Sequence, residues 1–497
     1  TTEGYVLVLA GAGSGKTRVL TERIAYLIKE KGISPERVLA FTFTNKAAQE
    51  MKSRVERLLR RKNLPLWIGT FHATGLRILR REAKYLGYEN NFTIFDEDDS
   101  ISLIKDIIKK KDLKLDEYSP KEARWRISLW KNEIVTPEEA MEKATEAHQV
   151  TLAKVYDEYV SQLKRCNAMD FDDLITKVVE LFVSFPKVKE RYARQFKYVL
   201  VDEFQDTNKM QMLMIDALSS FHKNLFVVGD DDQAIYGWRG ATVENILQFD
   251  RIYNGTAIIR LEQNYRSTNR ILKAANRVIS YNAGRKGKNL WSKKGEGELI
   301  RVVHTEDEQD EAERIVETII DLIRGGFKRK EIAVLYRTHA QSRAIEKALI
   351  TSGLPYQMVG GVRFYERKEI KDILAYLRLL NNPMDDVSFR RIVNVPRRGI
   401  GESTIRRIEE AQGDRGLFNT ARDKSFLRSV PPRQRSALEE FCSLMEPLLL
   451  KAQKMSVYEL MELIISETGY REYIVRELTN PSERLENIDE LLSLIHI

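Results

Sequence analysis

Cysteine is almost missing from this 497-residue chain: Cys166 and Cys442 stand alone and far apart. A disulfide framework needs a closely spaced even set, and a structural zinc site needs ligand pairs a few residues apart. Both are excluded, and a reducing compartment fits. No apolar run approaches the about eighteen residues that cross a membrane, and no signal segment opens the chain. Charge of one sign is not dominant either, with 81 Lys and Arg against 73 Asp and Glu, a net +8. That modest basic excess suits a nucleic-acid partner without establishing one. Hydrophobic residues at 43% and charged residues at 31% exclude a disordered chain. The length exceeds what one core organises, so about two to four domains are expected. An initial Met is also lacking, and the chain closes on "LLSLIHI" straight out of a helical pattern. Both ends read as cut, and the "LSLIHI" tail reads as foreign to the natural frame.

What is present begins with "YVLVLAGAGSGKTRVL", a strand, a glycine-rich loop and a helix. Val19, Leu20, Ile24, Leu27 and Ile28 repeat with helical spacing. Between strand and helix, Ala10, Gly11, Ala12, Gly13, Ser14 and Gly15 form a loop whose backbone N–H groups can turn inward around phosphates. Lys16 can reach the β- and γ-phosphates, and the Thr17 hydroxyl can ligate Mg²⁺. Ala10 stands where this pattern has its first glycine, and is small enough for the turn. A dinucleotide-binding loop would need a glycine at Lys16. A second strand, Tyr198 to Val201, ends in Asp202 and Glu203, a Mg²⁺ anchor and a candidate base for the attacking water. The long separation of Lys16 from Asp202 predicts an inserted domain.

A third strand, Leu225 to Val228, runs into Asp230, Asp231, Asp232 and Gln233, with Tyr236, Trp238 and Arg239 close behind. An amide can donate to a phosphate and accept from a water, and an indole offers a flat face to any base. Tyr236 and Trp238 on their own read more readily as packed core.

In order, "AGAGSGKT", "FTFTNKAAQEM", "GTFHATGLRILR", "VDEFQDTN", "VVGDDDQAIYGWRGA" and "LEQNYRST" resemble the motifs of superfamily-one DNA helicases of the UvrD, PcrA and Rep type. Weaker similarity continues through "GGVRFYERKEIKDILAYLRLL" and "VPRRGIG". The resemblance implies an α/β fold with two RecA-like parallel-sheet P-loop motor domains, the second incomplete, each with a mainly helical insertion. The expected division is 1–95 with 171–267 as the first motor domain and 96–170 as its insertion. Residues 268–364 are then the N-terminal part of the second motor domain and 365–497 its truncated insertion.

The resemblance also implies site roles. Gln233 corresponds to the γ-phosphate sensor, Arg266 to an arginine finger, and Tyr265 to the residue that stacks on adenine, with Arg18 on the opposite face. Phe43 and Trp238 correspond to base-stacking positions, with Tyr236 and Arg239 supporting the second, while Thr44 and Asn45 can contact phosphate. Phe71 and His72 are expected at the DNA; no second ligand gives His72 a metal role, and a structural histidine is the alternative. ATP and Mg²⁺ are the implied cofactors. Single-stranded DNA and single/double-strand junctions are the implied partners, with repair or replication proteins beside them, a favoured monomer, and a cytoplasmic, nucleoid-associated setting without membrane contact.

The implied activity is 3′-to-5′ DNA unwinding driven by ATP. Two alternatives stay open: the helicase subunit of an AddA/RecB-type helicase-nuclease, and an ATP- and DNA-binding module without efficient turnover. The family's upstream glutamine motif, its threonine-histidine segment before "KGLE" and its later arginine motif are not found.

In the insertion, the acids of "FDEDDSISLI" and "AMDFDDLI" are more economically helix caps and dipole partners than metal ligands. Trp125 and Trp130, among Arg124, Arg126 and Lys131, suit either nucleic acid or core packing. Beyond 268, "LIRVVH" (299–304) and "EIAVLYR" (331–337) read as strands of a second parallel sheet. In "VPRRGIGESTIRRIEEA", Gly399 and Gly401 predict a tight turn with Ser403 or Thr404 as helix cap, suiting either a helix-hairpin-helix contact to duplex phosphate or a plain helical hairpin.

Overall fold

A computed structural model of the chain describes residues 1–495 except 112, 114–118, 283 and 359–363, and omits the Arg239 side chain. The start of the "GGVRF" stretch and the last two residues of "LSLIHI" therefore lie outside the described residues. Eight strands occur among those described: β1 (Tyr5–Ala10), β2 (Val38–Phe41), β3 (Trp67–Gly69), β4 (Thr93–Phe95), β5 (Ala168–Asp170), β6 (Tyr198–Val201), β7 (Leu225–Gly229) and β8 (Ala257–Leu261). Six of them form one sheet in the order β3-β2-β6-β7-β1-β8, and every ladder in it is parallel.

The inner strands read as unbroken apolar runs because helices cover both faces. Alternate residues divide between two cores, as the pleat requires. Leu7, Leu39, Val199 and Val227 face one core with Ile78, Leu174 and Ile215. Val6, Val38, Leu200 and Val228 face the other with Leu20, Ile24 and Met51. Because all six strands run the same way, the loops after β1, β2, β3, β6, β7 and β8 emerge along one edge. The quoted motifs occupy those loops, so the sheet gathers them.

Over the segment expected as an insertion, helices stand on a parallel two-stranded base, β4 with β5, and β4 precedes the expected start at 96. Helices Glu97–Lys110, Pro120–Glu133, Pro137–Glu142 and Ala147–Arg165 enclose their own core. Trp130 belongs to that core, stacked on Tyr156 at 5.5 Å, so burial excludes it from nucleic acid; Trp125 is exposed. The clustered acids serve as caps and ion-pair partners. Asp96 and Asp99 form a capping box, and the buried Lys131 ammonium stands 2.8 Å from both Asp170 and Asp173.

Past β8, the helices Glu308–Arg324 and Ser342–Thr351 pack together through Ala312, Val316, Ile345 and Leu349. The strands expected at 299–304 and 331–337 are not formed. A parallel strand needs ladder neighbours and two covered faces, and these segments have neither: Val302, Val303 and Leu335 are exposed, the last at 93%. From Lys368 to Ile495 the chain is helical and meets the helix Glu97–Lys110 and its cap through Arg378–Asp99 at 2.6 Å and Lys371–Asp96 at 3.0 Å. Gly399 adopts φ 76°, as the tight turn requires, but Gly401 rather than Ser403 or Thr404 caps the following helix Glu402–Gln412. Thr404 sits inside the first turn, with its N–H on the Gly401 carbonyl.

Candidate nucleotide and DNA site

The loop between β1 and the helix Lys16–Lys29 has its carbonyls tied outward. Ser14 bonds the Gly11 carbonyl at 2.7 Å, the Asn264 amide bonds that of Ala12 at 2.5 Å, and the Tyr265 N–H bonds that of Gly13 at 2.9 Å. Donors are thereby left for an anion at the positive end of the helix. Gly15 adopts φ 98°, a left-handed geometry that glycine takes at little cost. Gly13 is needed for space, since a Cβ there would come within 2.8 Å of the Arg266 Cβ. Ala10 closes β1 and is fully buried, so a small residue suffices there. Thr17 is the second residue of that helix and is half-buried.

Lys16 is buried. Its ammonium lies 3.0 Å from Glu203 Oε2 but makes no well-directed hydrogen bond among the described residues. A buried cation with an ion-pair partner but no directed hydrogen bond, beside open backbone donors, fits a phosphate group. Glu203 is in the left-handed region, φ 47° and ψ 48°, a conformation costing about 1 kcal/mol in a non-glycine residue. That backbone turn brings its carboxylate to Lys16. Burial, reinforced by the Glu203 charge, pushes the Asp202 carboxyl up to about 7. The same two causes raise Asp206 to about 6. Two adjacent acids with crowded charge suit a divalent cation, which favours the ionised form of both.

A polar chain continues from there to the loop after β7. Gln205, buried, donates to Glu203 Oε2 at 3.0 Å and accepts from the Asp230 N–H at 2.9 Å. The Gln233 amide in turn donates to Asp230 Oδ2. Gln233 is thus linked to Lys16 through Asp230, Gln205 and Glu203. Gln205 was not singled out from the sequence. Its signal was its place two residues after the acid pair, on a strand-end turn that had to be bridged to the next strand.

Five residues past Gln233, Trp238 is 66% exposed. Its ring centroid lies 6.3 Å from Tyr236, which lies 4.7 Å from Phe43 at the end of β2. Three aromatics from two loops therefore form one row on the edge of the sheet. Thr44 caps the helix Asn45–Leu59, accepting from the Ala47 N–H, and Asn45 opens that helix exposed to solvent.

Phe71 departs from expectation. It is 6% exposed and stacks on Phe41 at 4.2 Å with rings nearly parallel. A ring sealed against β2 cannot meet a base, so Phe71 supports the floor beneath the row. His72 is half-buried, edge-on to Phe171 at 6.1 Å, and burial holds its imidazole below the ordinary range against the opposing charge of Asp172. Arg77 lies over the Trp67 ring at 3.6 Å, and Arg80 donates to the carbonyls of Asn90 and Phe92, so both serve the fold.

Asn264 accepts from the N–H groups of Arg266 and Ser267, fixing the turn after β8 against the phosphate loop. Arg266 and Tyr265 are exposed, and the Tyr265 hydroxyl donates to Gln263. Arg18 is exposed and 3.9 Å from Glu22.

A glycine-rich phosphate loop linked through Glu203, Gln205 and Asp230 to a loop that carries an exposed aromatic row defines an α/β module of the P-loop class. Residues 1–254 match the UvrD/REP helicase N-terminal domain and residues 259–495 match the UvrD-like helicase C-terminal domain. The chain belongs to the UvrD/REP helicase family. It is 46% identical over 497 residues to proteins named ATP-dependent DNA helicase PcrA from Staphylococcus aureus and Staphylococcus epidermidis, covering 99% of this chain and 68% of each relative.

Proposed function

We propose that the protein is an ATP-driven DNA translocase and helicase moving 3′ to 5′ along single-stranded DNA, acting at single/double-strand junctions in repair or replication. The family membership supports the activity, and the motif resemblance supports the direction and setting. The observation that carries the coupling is the loop after β7, which holds Gln233 at one end and Trp238 at the other.

In this reading the loop from Gly11 to Gly15 and Lys16 bind the triphosphate, and Tyr265 stacks on the base. Thr17 and Asp202 would hold Mg²⁺, which would supply neutralisation of the charge on the phosphates. Glu203 takes the proton of the attacking water as its oxygen bonds to the γ-phosphorus and ADP departs. Gln233 orients that water and phosphate. Arg266 meets transition-state charge, a contribution of about 10³–10⁵ in rate for such a finger. Stacking contributes about 1–3 kcal/mol per base and opening duplex costs about 1.4 kcal/mol per step. Phe43 and Trp238 passing bases along can therefore compete with base pairing.

A second reading, nucleotide and DNA binding without efficient turnover, is supported by the unladdered segments 299–304 and 331–337. Phosphate release with and without single-stranded DNA separates the two. Hydrolysis stimulated by DNA and abolished in Lys16→Ala, with DNA affinity kept, supports the motor. Tight binding of both ligands with no stimulated release supports the second reading.

A further inference from the structure

The loop after β7 carries three successive carboxylates, Asp230, Asp231 and Asp232, with oxygens converging within 4.8 Å. Such a trio repels itself and repels a triphosphate nearby. In this fold its centre is filled by the Lys288 ammonium, whose side chain is 4% exposed. That ammonium lies 2.6 Å from Asp230, 3.0 Å from Asp232, and in contact with Asp231. Arg285 pairs with Asp232 at 2.7 Å, and the Lys286 N–H donates to Asp231 at 2.8 Å. The strap 285–291 comes from beyond β8 and reaches two more parts of the site. Leu290 lies against Gly11 of the phosphate loop, and Trp291 exchanges backbone hydrogen bonds with Glu262 and Asn264.

Asp230 is the shared atom group. It holds the Gln233 amide through Oδ2 and Lys288 through Oδ1. For Gln233 to reach a γ-phosphate it must leave Asp230, and the carboxylate left behind needs a compensating charge in a buried place. We propose that Lys288 is a positioning residue for the sensor: by neutralising Asp230 it lets Gln233 transfer between that carboxylate and the nucleotide. Nucleotide state is thereby transmitted to the Trp238 stack. Without Lys288, the uncompensated acids hold the amide and the loop stops responding.

This inference rests on the motor reading above, and its test separates the two. Affinity for a labelled oligothymidylate is measured on the full chain with and without a non-hydrolysable ATP analogue and Mg²⁺. The native chain should show a ratio of about fivefold or more between the two affinities, the ordinary scale of coupled sites. Lys288→Met should bring that ratio to about one while each ligand still binds alone, and adding Asp230→Asn to it should restore the ratio, since a neutral partner releases the Gln233 amide. A purely structural lysine would not be rescued in this way. Should Lys288→Met fail to fold, Lys288→Gln is read in its place with the same expected loss. An unchanged ratio in the variant, or no rescue, overturns the role of Lys288 and leaves the motor reading standing, whereas a native ratio of one overturns both. Absence of binding of either ligand by the native chain overturns both.

Discussion

Truncating Trp238 to alanine isolates the stacking contact. The side chain is 66% exposed, so little packing is lost on folding and stability should change by no more than about 0.5 kcal/mol. One base stack contributes about 1–3 kcal/mol, which at 1.4 kcal/mol per tenfold predicts a rise in Kd of about 5- to 150-fold. Tyr236 remains 6.3 Å away and Phe43 beyond it. Those rings can receive part of the displaced base, so the expected rise lies at the low end, about 5- to 20-fold. Fluorescence anisotropy of a labelled oligothymidylate, titrated at two salt concentrations, reads both affinity and its salt slope. Only a ring is removed, so the number of phosphate contacts and the slope should be unchanged. Unaltered affinity in a protein with unaltered melting would refute the stacking role. A weakened complex with a reduced salt slope would refute the assignment of the loss to stacking.

Phe71→Ala should lower stability by about 3–5 kcal/mol, because the ring is buried on Phe41, and chemical denaturation reads this directly; a native-like midpoint with lost DNA binding would contradict the corrected assignment. The Asp202 carboxyl, raised to about 7 by burial and Glu203, is neutral below that pH and charged above it. Mg²⁺ affinity measured by calorimetry in the presence of ADP should therefore increase with pH up to about 7 and level off beyond; a flat profile between pH 5 and pH 8 would contradict a metal role for that group.

The phosphate loop, both acids after β6 and the aromatic pair after β7 were legible because their chemistry is local: a glycine pattern, charged residues ending an apolar strand, and rings in a polar loop. Phe71 was misplaced for the opposite reason. A phenylalanine at the first turn of a helix points inward or outward according to the sheet it meets, and only Phe41 beneath it decides. Lys288 was missed because its three acids lie far away in sequence, and pairing across a fold leaves no spacing to read; Gln205 was missed because only its reach to the Asp230 N–H, on the next strand end, shows it as a bridge. The segments 299–304 and 331–337 read as short apolar strands, but a ladder is a property of two strands. Lys131 shows what the sequence could not: the clustered acids Asp170 and Asp173 are neutralised by a lysine from another helix.

The account rests on a nucleotide signal crossing from Gln233 to Trp238 within one loop. Single-stranded DNA carrying a fluorescent adenine analogue reports stacking on the indole by quenching. Adding a non-hydrolysable ATP analogue should change that quenching in the native chain and leave it unchanged in Gln233→Ala, with both proteins still binding nucleotide and DNA. Quenching that ignores nucleotide in the native chain, or that responds equally in Gln233→Ala, would contradict it.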